Sequence, residues 1–293
     1  EQLSDIVCPK DCDWKKAALN YTFVHVSNGS RPLKKLDTNV RRIVAAYNYF
    51  TELVGQFSFP FLLHFNLSYN RIRHIEPGVF NRTNKLLYLY LSYNLLVHLE
   101  KDTFIGLWRL KILELEGNPL ITIDAGAFNG LSSLPSLKLV GHTLETLSKG
   151  QFYGLQSLIK LDLKQNNIKS IQAGTFLNLK KLAELDISKN YVMNLEKDTF
   201  IGLWRLKHLE LKGNPLTTID AGAFNGLFLL PSLMLVGHSL ETLRNGQFNG
   251  LQSLIKLDLK RNNIKTIQAD TLLLCMVCYS RIYNLSFLMF SGS

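Results

Sequence analysis

Leu86-Leu87-Tyr88-Leu89-Tyr90-Leu91-Ser92-Tyr93-Asn94-Leu95-Leu96 states a phrase, L-x-x-L-x-L-x-x-N-x-L, that returns every 24 residues. Asn70, Asn94, Asn118, Asn166, Asn190, Asn214 and Asn262 fall on this grid, and His142 and His238 stand on it in place of Asn. Phe80, Phe104, Phe128, Phe152, Phe176, Phe200, Phe224 and Phe248 keep the same interval. A period of this length marks a stack of similar coils, not a closed globule.

The phrase sets its own geometry. Leucines at alternating positions, such as Leu161 and Leu163, fit a short strand that turns every second side chain inward. The Asn that follows must bend the chain and satisfy the peptide groups freed by the bend, which a short amide does as both donor and acceptor. An imidazole offers one donor and one acceptor, so His142 and His238 are tolerable rungs of the same ladder. Ile75, Leu99, Ile123 and their counterparts add a further inward position, and the Phe column fills the far side. One coil cannot bury these groups, but stacked coils share a core, at roughly 1.5–3 kcal/mol per enclosed large apolar side chain.

The phrase and its Phe-x-x-Leu completion, as in Phe104 with Leu107 and Phe152 with Leu155, resemble the typical extracellular leucine-rich repeat. That class includes Toll-like receptor ectodomains, variable lymphocyte receptors and platelet glycoprotein Ib alpha. The resemblance implies an α/β solenoid. It would be a horseshoe with a parallel β-sheet on its concave face, short 3₁₀ pieces and loops on its convex face, and capped ends. Nine full repeats begin at Leu62, Leu86, Leu110, Leu134, Leu158, Leu182, Leu206, Leu230 and Leu254, and a shorter tenth begins near Val40. The domain reading is therefore a cap over residues 1–39, ten repeats over 40–271 and a reduced C-terminal cap over 272–293.

All four cysteines lie in those end regions. Cys8 and Cys12 form a C-P-x-x-C phrase, followed by Thr22–Val26, which reads as an edge strand. Family caps usually carry four cysteines each, so Cys8, Cys12, Cys275 and Cys278 imply reduced caps held by disulfides. Cys275 and Cys278 also admit a redox pair or half a zinc site, but no His or second pair lies near them. No metal or other cofactor is expected.

A larger copy lies within the grid. Residues 100–179 and 196–275 align without gaps, with about 64 of 80 positions identical. Ile112 becomes His208, Glu116 becomes Lys212, Lys138 becomes Met234 and Gln165 becomes Arg261, all at outward positions. Two readings stand: a binding face retuned on a fixed frame, or drift at exposed sites where substitution costs little. Ser132 to Phe228 and Ser133 to Leu229 fall off the inner sheet and favour drift.

An oxidising, extracellular setting is expected for this array, either as a secreted protein or as a receptor ectodomain. Five sequons point the same way, at Asn20, Asn28, Asn66, Asn81 and Asn284. Asn66 is the odd one, because its position faces the inner sheet, where a glycan would obstruct binding. The apolar tail from Leu272 to Phe290 is interrupted by Arg281 and Asn284, so it reads as cap core, and no membrane span is expected in the chain.

No phosphate loop, H-E-x-x-H or G-x-S-x-G motif is present, so a binding protein is expected, not an enzyme. Three concave patches are candidates. The first gathers Tyr69, Tyr88, Tyr90 and Tyr93 beside His64, a composition suited to interface hot spots and equally to cross-strand packing. The second is a mixed ionic lattice of Lys160, Asp162, Lys164, Asp186, His208, Glu210, Lys212, Lys256, Asp258, Lys260 and Arg261. Carboxylates recur there in one column, but surface pairing accounts for them better than acid–base chemistry. The third is a scatter of apolar outward positions, Ile112, Val140, Met234 and Val236.

The net charge of +10 is partly concentrated near the N-terminal end, in Arg31, Lys34, Lys35, Arg41, Arg42, Arg71, Arg73, Arg82 and Lys85. Such a patch attracts anionic glycans by long-range steering, whereas no motif for sequence-specific nucleic-acid recognition is present. The expected partner is a protein or a microbial-surface glycan, in innate immunity or adhesion. A matrix-type binder of glycans or fibres and a signalling-receptor ectodomain are the alternatives.

Overall fold

The computed structural model describes residues 39–268 and Thr271, together with the backbone of three short strands at Ile6–Val7, Thr22–Phe23 and His25–Val26. Cys8, Cys12, Cys275, Cys278, Asn20, Asn28 and Asn284 lie outside the described residues, as do Leu272–Phe290.

The chain is a parallel-strand solenoid, and no helix occurs among the described residues. It divides into two compact units. One runs to Lys138 and includes Gln151–Leu158, and the other holds Leu139–Gly150 and continues from Ile159. In the first unit, Thr22–Phe23, Arg42–Val44, His64–Asn66, Tyr88–Tyr90 and Ile112–Glu114 form one parallel five-stranded sheet. The edge strand expected within Thr22–Val26 is thus Thr22–Phe23, while His25–Val26 pairs antiparallel with Ile6–Val7. In the second unit Lys160–Asp162, Glu184–Asp186 and His208–Glu210 pair in the same way, as do Ser232–Met234 and Lys256–Asp258.

Alternation decides what these strands present. Leu89, Leu113, Leu161, Leu185, Leu209 and Leu257 are buried at the strand centres, and the residues flanking them look outward. Leu161 and Leu163 have no exposed surface. A second row of two-residue strands, such as His98–Leu99 with Thr122–Ile123, buries the Ile/Leu column.

The Asn ladder closes each bend. Asn94 Nδ2 donates to the carbonyls of Leu67 (3.0 Å) in the preceding coil and of Leu91 (3.0 Å) in its own. Its Oδ1 accepts the Ile72 N–H at 3.0 Å. Asn190 and Asn214 repeat this pattern one coil at a time. His238 bonds differently, with Nδ1 2.6 Å from the carbonyl of the preceding rung, Asn214, so that nitrogen carries the proton. Its Nε2 is buried with no hydrogen-bond partner, and burial holds the imidazole pKa below its ordinary value of 6.5 despite the bond to Asn214.

On the outer side the Phe column forms a stack in each unit. Ring centroids are 6.4, 6.1 and 6.3 Å apart along Phe80, Phe104, Phe128 and Phe152, and 6.2, 5.9 and 6.2 Å along Phe176, Phe200, Phe224 and Phe248. Around them the backbone makes isolated i→i+3 turns, such as Thr83 N–H to Phe80 O and Leu86 N–H to Thr83 O, and no continuous 3₁₀ helix. Twenty-four residues per coil, less two strands and a bend, leave no length for more.

Candidate functional site

In the first unit the register aligns Arg42, His64, Tyr88 and Ile112 in one outward column, and Val44, Asn66, Tyr90 and Glu114 in the next. His64 stacks on Tyr88 with centroids 4.3 Å apart and planes 14° from parallel. Burial, then the Arg42 charge, push the His64 pKa down, so the ring is neutral at neutral pH. Tyr88 and Tyr90 are half-buried.

Tyr69 and Tyr93 stand elsewhere. They occupy the turn that precedes the ladder Asn, at φ 56 and 55. That left-handed turn swings the side chain out beside the sheet, so the four tyrosines do not all rise from strands. Tyr47, at φ 57, joins them. Tyr47 and Tyr69 stack at 4.4 Å and Tyr69 and Tyr93 at 4.6 Å, with planes within 7° and 11°. The rings are 71%, 43% and 45% exposed, a three-ring ladder open to solvent. Gly117 occupies the next equivalent position, where a Cβ would come 2.6 Å from Tyr93 Cδ1. Burial first, then Tyr47 and Tyr93, raise the Tyr69 pKa, so its hydroxyl keeps its proton. Beside the ladder, Arg71 lies over the Tyr49 ring, 4.8 Å from its centroid.

Tyr47 and Tyr49 were not picked out by the 24-residue count because the first repeat is shorter, placing Asn48 22 residues before Asn70. Counting back one position from each ladder Asn, instead of along the grid, finds Tyr47, Tyr69 and Tyr93 together.

The second unit carries the whole ionic lattice. Lys160 Nζ is 2.7 Å from Glu184 Oε2, and their hydrogen bond and mutual charge raise the lysine pKa and lower the glutamate pKa. Asp162, Asp186 and Glu210 lie side by side in register. Asp162 Oδ1 accepts the Lys164 N–H (3.1 Å), Asp186 Oδ1 the Ser188 N–H (2.8 Å) and Asp258 Oδ1 the Lys260 N–H (3.1 Å). Asn66 does the same for Ser68 in the first unit, at 2.9 Å. The aspartates of this column are therefore strand-end caps, each bonded to the backbone two residues on. His208 and Lys256 face outward from their strands, Lys212 is exposed on its turn, and Arg261 takes the left-handed position at φ 57. Lys212 and Arg261 thus stand on turns, as Tyr69 and Tyr93 do.

Ile112 and Met234 are exposed, and Val140 and Val236 half-exposed, so the third patch is dispersed. Asn81 is exposed on the loop after Phe80, with the Thr83 hydroxyl bonded to the Phe57 carbonyl. Among the described residues no helix is long and apolar enough to cross a membrane.

Two family models meet on this frame. The leucine rich repeat model matches residues 60–120 and 228–274, and the BspA type leucine rich repeat region, in six copies, matches residues 97–229. The chain is a leucine-rich repeat protein. No curated protein matches it by sequence. Among solved structures, this leucine-rich repeat protein is similar to a chain of the TLR13–ssRNA13 complex, with TM-score 0.67 and 26% identity over 79% of its length. A chain of the octameric complex of Latrophilin 3, Unc5D and FLRT2 matches 92% of it at 23% identity and TM-score 0.66, with 84% of that chain covered. A chain of the Drosophila Toll–Spatzle complex matches 87% of it at 20% identity and TM-score 0.71. The protein spans only 36% of the TLR13 chain and 35% of the Toll-complex chain.

Proposed function

We propose that this leucine-rich repeat protein is an extracellular, non-enzymatic recognition protein that grips a protein or microbial-surface ligand on the tyrosine-bearing face of its first unit. The observation that carries this reading is the ladder Tyr47–Tyr69–Tyr93, three exposed rings in line beside the His64–Tyr88 stack. Tyrosine held rigid by stacking offers contact area and a hydroxyl with little entropy left to lose on binding. The solved neighbours are complexes with RNA and with protein partners, which supports a binding role for the same architecture.

The ionic lattice is the weaker candidate, because Lys160 is paired with Glu184 and the Asp162 and Asp186 carboxylates are bonded to the backbone. The test is a protein, glycan and whole-microbe binding screen with the chain and with Y47S/Y69S/Y93S. Loss of the hit in the variant, with unchanged melting, supports the ladder as the site. Retained binding rejects it, and binding abolished by moderate salt shifts the site to the basic residues.

A further inference from the structure

Between each Phe turn and the next strand, the chain runs along one flank of the solenoid. In the second unit this flank consists of residues 177–183, 201–207, 225–231 and 249–255, and no Asp or Glu occurs in any of the four segments. They carry Lys180, Lys181, Arg205 and Lys207, all exposed. Beside the cations, and on the two following coils that carry none, stand large apolar side chains that a water-facing loop would not select. Leu177 is 38%, Trp204 43%, Phe228 42%, Leu229 48% and Ile255 51% exposed. Lys180 Nζ lies 5.7 Å from the Trp204 ring centroid, and Phe228 borders a shallow depression of about 590 Å³.

Two acids at the margins are engaged: Asp198 accepts a bond from Asn225 at 2.8 Å, and Glu184 is paired with Lys160. The internal duplication supplies a comparison. Where the second unit has Phe228 and Leu229, the matching positions of the earlier copy are Ser132 and Ser133.

We propose that this flank docks on an anionic lipid bilayer. Charge complementarity fixes the sign of the partner, since the four segments carry four cations and no carboxylate of their own. The apolar residues decide its kind. Leu177, Leu229 and Ile255 have no role in gripping a phosphate backbone, which uses cations and stacking rings. Trp, Phe and branched aliphatics adjoining Lys and Arg are what a headgroup–acyl boundary takes up, with the cations reaching phosphate and the apolar groups entering below it. Each cation near such a surface contributes about a fivefold gain in partitioning, and each inserted large apolar group about tenfold or more. The inference does not depend on the tyrosine ladder, which belongs to the first unit.

The test is sedimentation of the full chain with vesicles of phosphatidylglycerol and phosphatidylcholine, and with vesicles of phosphatidylcholine alone. Binding to the anionic vesicles only is expected. F228S/L229S, which installs the residues its own earlier copy carries, should bind at least about tenfold more weakly without loss of melting temperature. K180A/K181A should weaken binding and reduce its dependence on salt, with Arg205 and Lys207 left to carry the remainder. Absence of binding to anionic vesicles overturns the proposal. So does vesicle binding that F228S/L229S leaves intact, or a single-stranded oligonucleotide that binds this flank while vesicles do not.

Discussion

The Tyr93 ring lies on the bare backbone of Gly117, so close that a single added carbon would stand 2.6 Å from its Cδ1. Glycine here is the shelf on which the tyrosine ladder ends. The duplicated position, Gly213, has only ordinary contacts, with Lys189 Cα at 3.4 Å. Both glycines are left-handed, at φ 71 and 76, a conformation that Tyr93, Gln165, Lys189 and Arg261 adopt at the same place in other coils. The fold therefore tolerates a side chain there, and what distinguishes Gly117 is the ring. G117A and G213A should each lower stability by about 1 kcal/mol, read by denaturant unfolding. Only G117A should change the near-ultraviolet circular dichroism of the tyrosines. Identical spectra for the two variants would remove Gly117 from the ladder.

The Asn rungs join neighbouring coils, so they resist replacement more than their size implies. Truncating Asn94 strands the carbonyls of Leu67 and Leu91 and the N–H of Ile72 in a dry interior. N94A should destabilise by about 2–4 kcal/mol in denaturant unfolding. N94H should cost less, because the imidazole at 238 finds a bond of its own, to the carbonyl of the preceding rung, Asn214. Equal losses for the two would show that an imidazole does not replace the amide in this coil.

His238 predicts a pH dependence. Its folded pKa lies below the ordinary 6.5, so the unfolded chain binds a proton the folded one refuses. Its contribution is present in full above 6.5 and is lost as pH falls toward the lowered folded value. H238N should flatten that part of the stability profile and leave stability at pH 8 equal or higher. A melting curve against pH whose acid limb is unchanged in H238N would contradict the assignment.

Lys160 and Glu184 are about half exposed, which limits what their 2.7 Å pair is worth. Solvent screening keeps such a pair at about 1 kcal/mol or less. E184Q should move the melting temperature little, and that difference should vanish at high salt. It should also release Lys160 and increase retention on a heparin column.

Much of this molecule was readable in advance because a repeat states its physics many times. A leucine pair at alternating positions occurs in coil after coil, so Leu161 and Leu163 were recognisably interior before any coordinate was known. The same redundancy announced Asn94 and Phe104. Single residues on outward positions carried no such redundancy. Tyr47 was hidden by a repeat two residues shorter than the rest, and the carboxylates of Asp162 and Asp186 resembled a charged patch until their backbone bonds showed them to be caps.

The sequence alone determined the coil: its length, its inward residues and the amide that ends each strand, because these are local requirements repeated at fixed spacing. Tertiary structure alone decided which outward side chains become neighbours. Tyr47, Tyr69 and Tyr93 are far apart along the chain, and so are Lys180, Trp204 and Phe228. Stacking brings successive coils to about 4.8 Å, close enough for rings to touch and charges to add. Only there do scattered residues become surfaces.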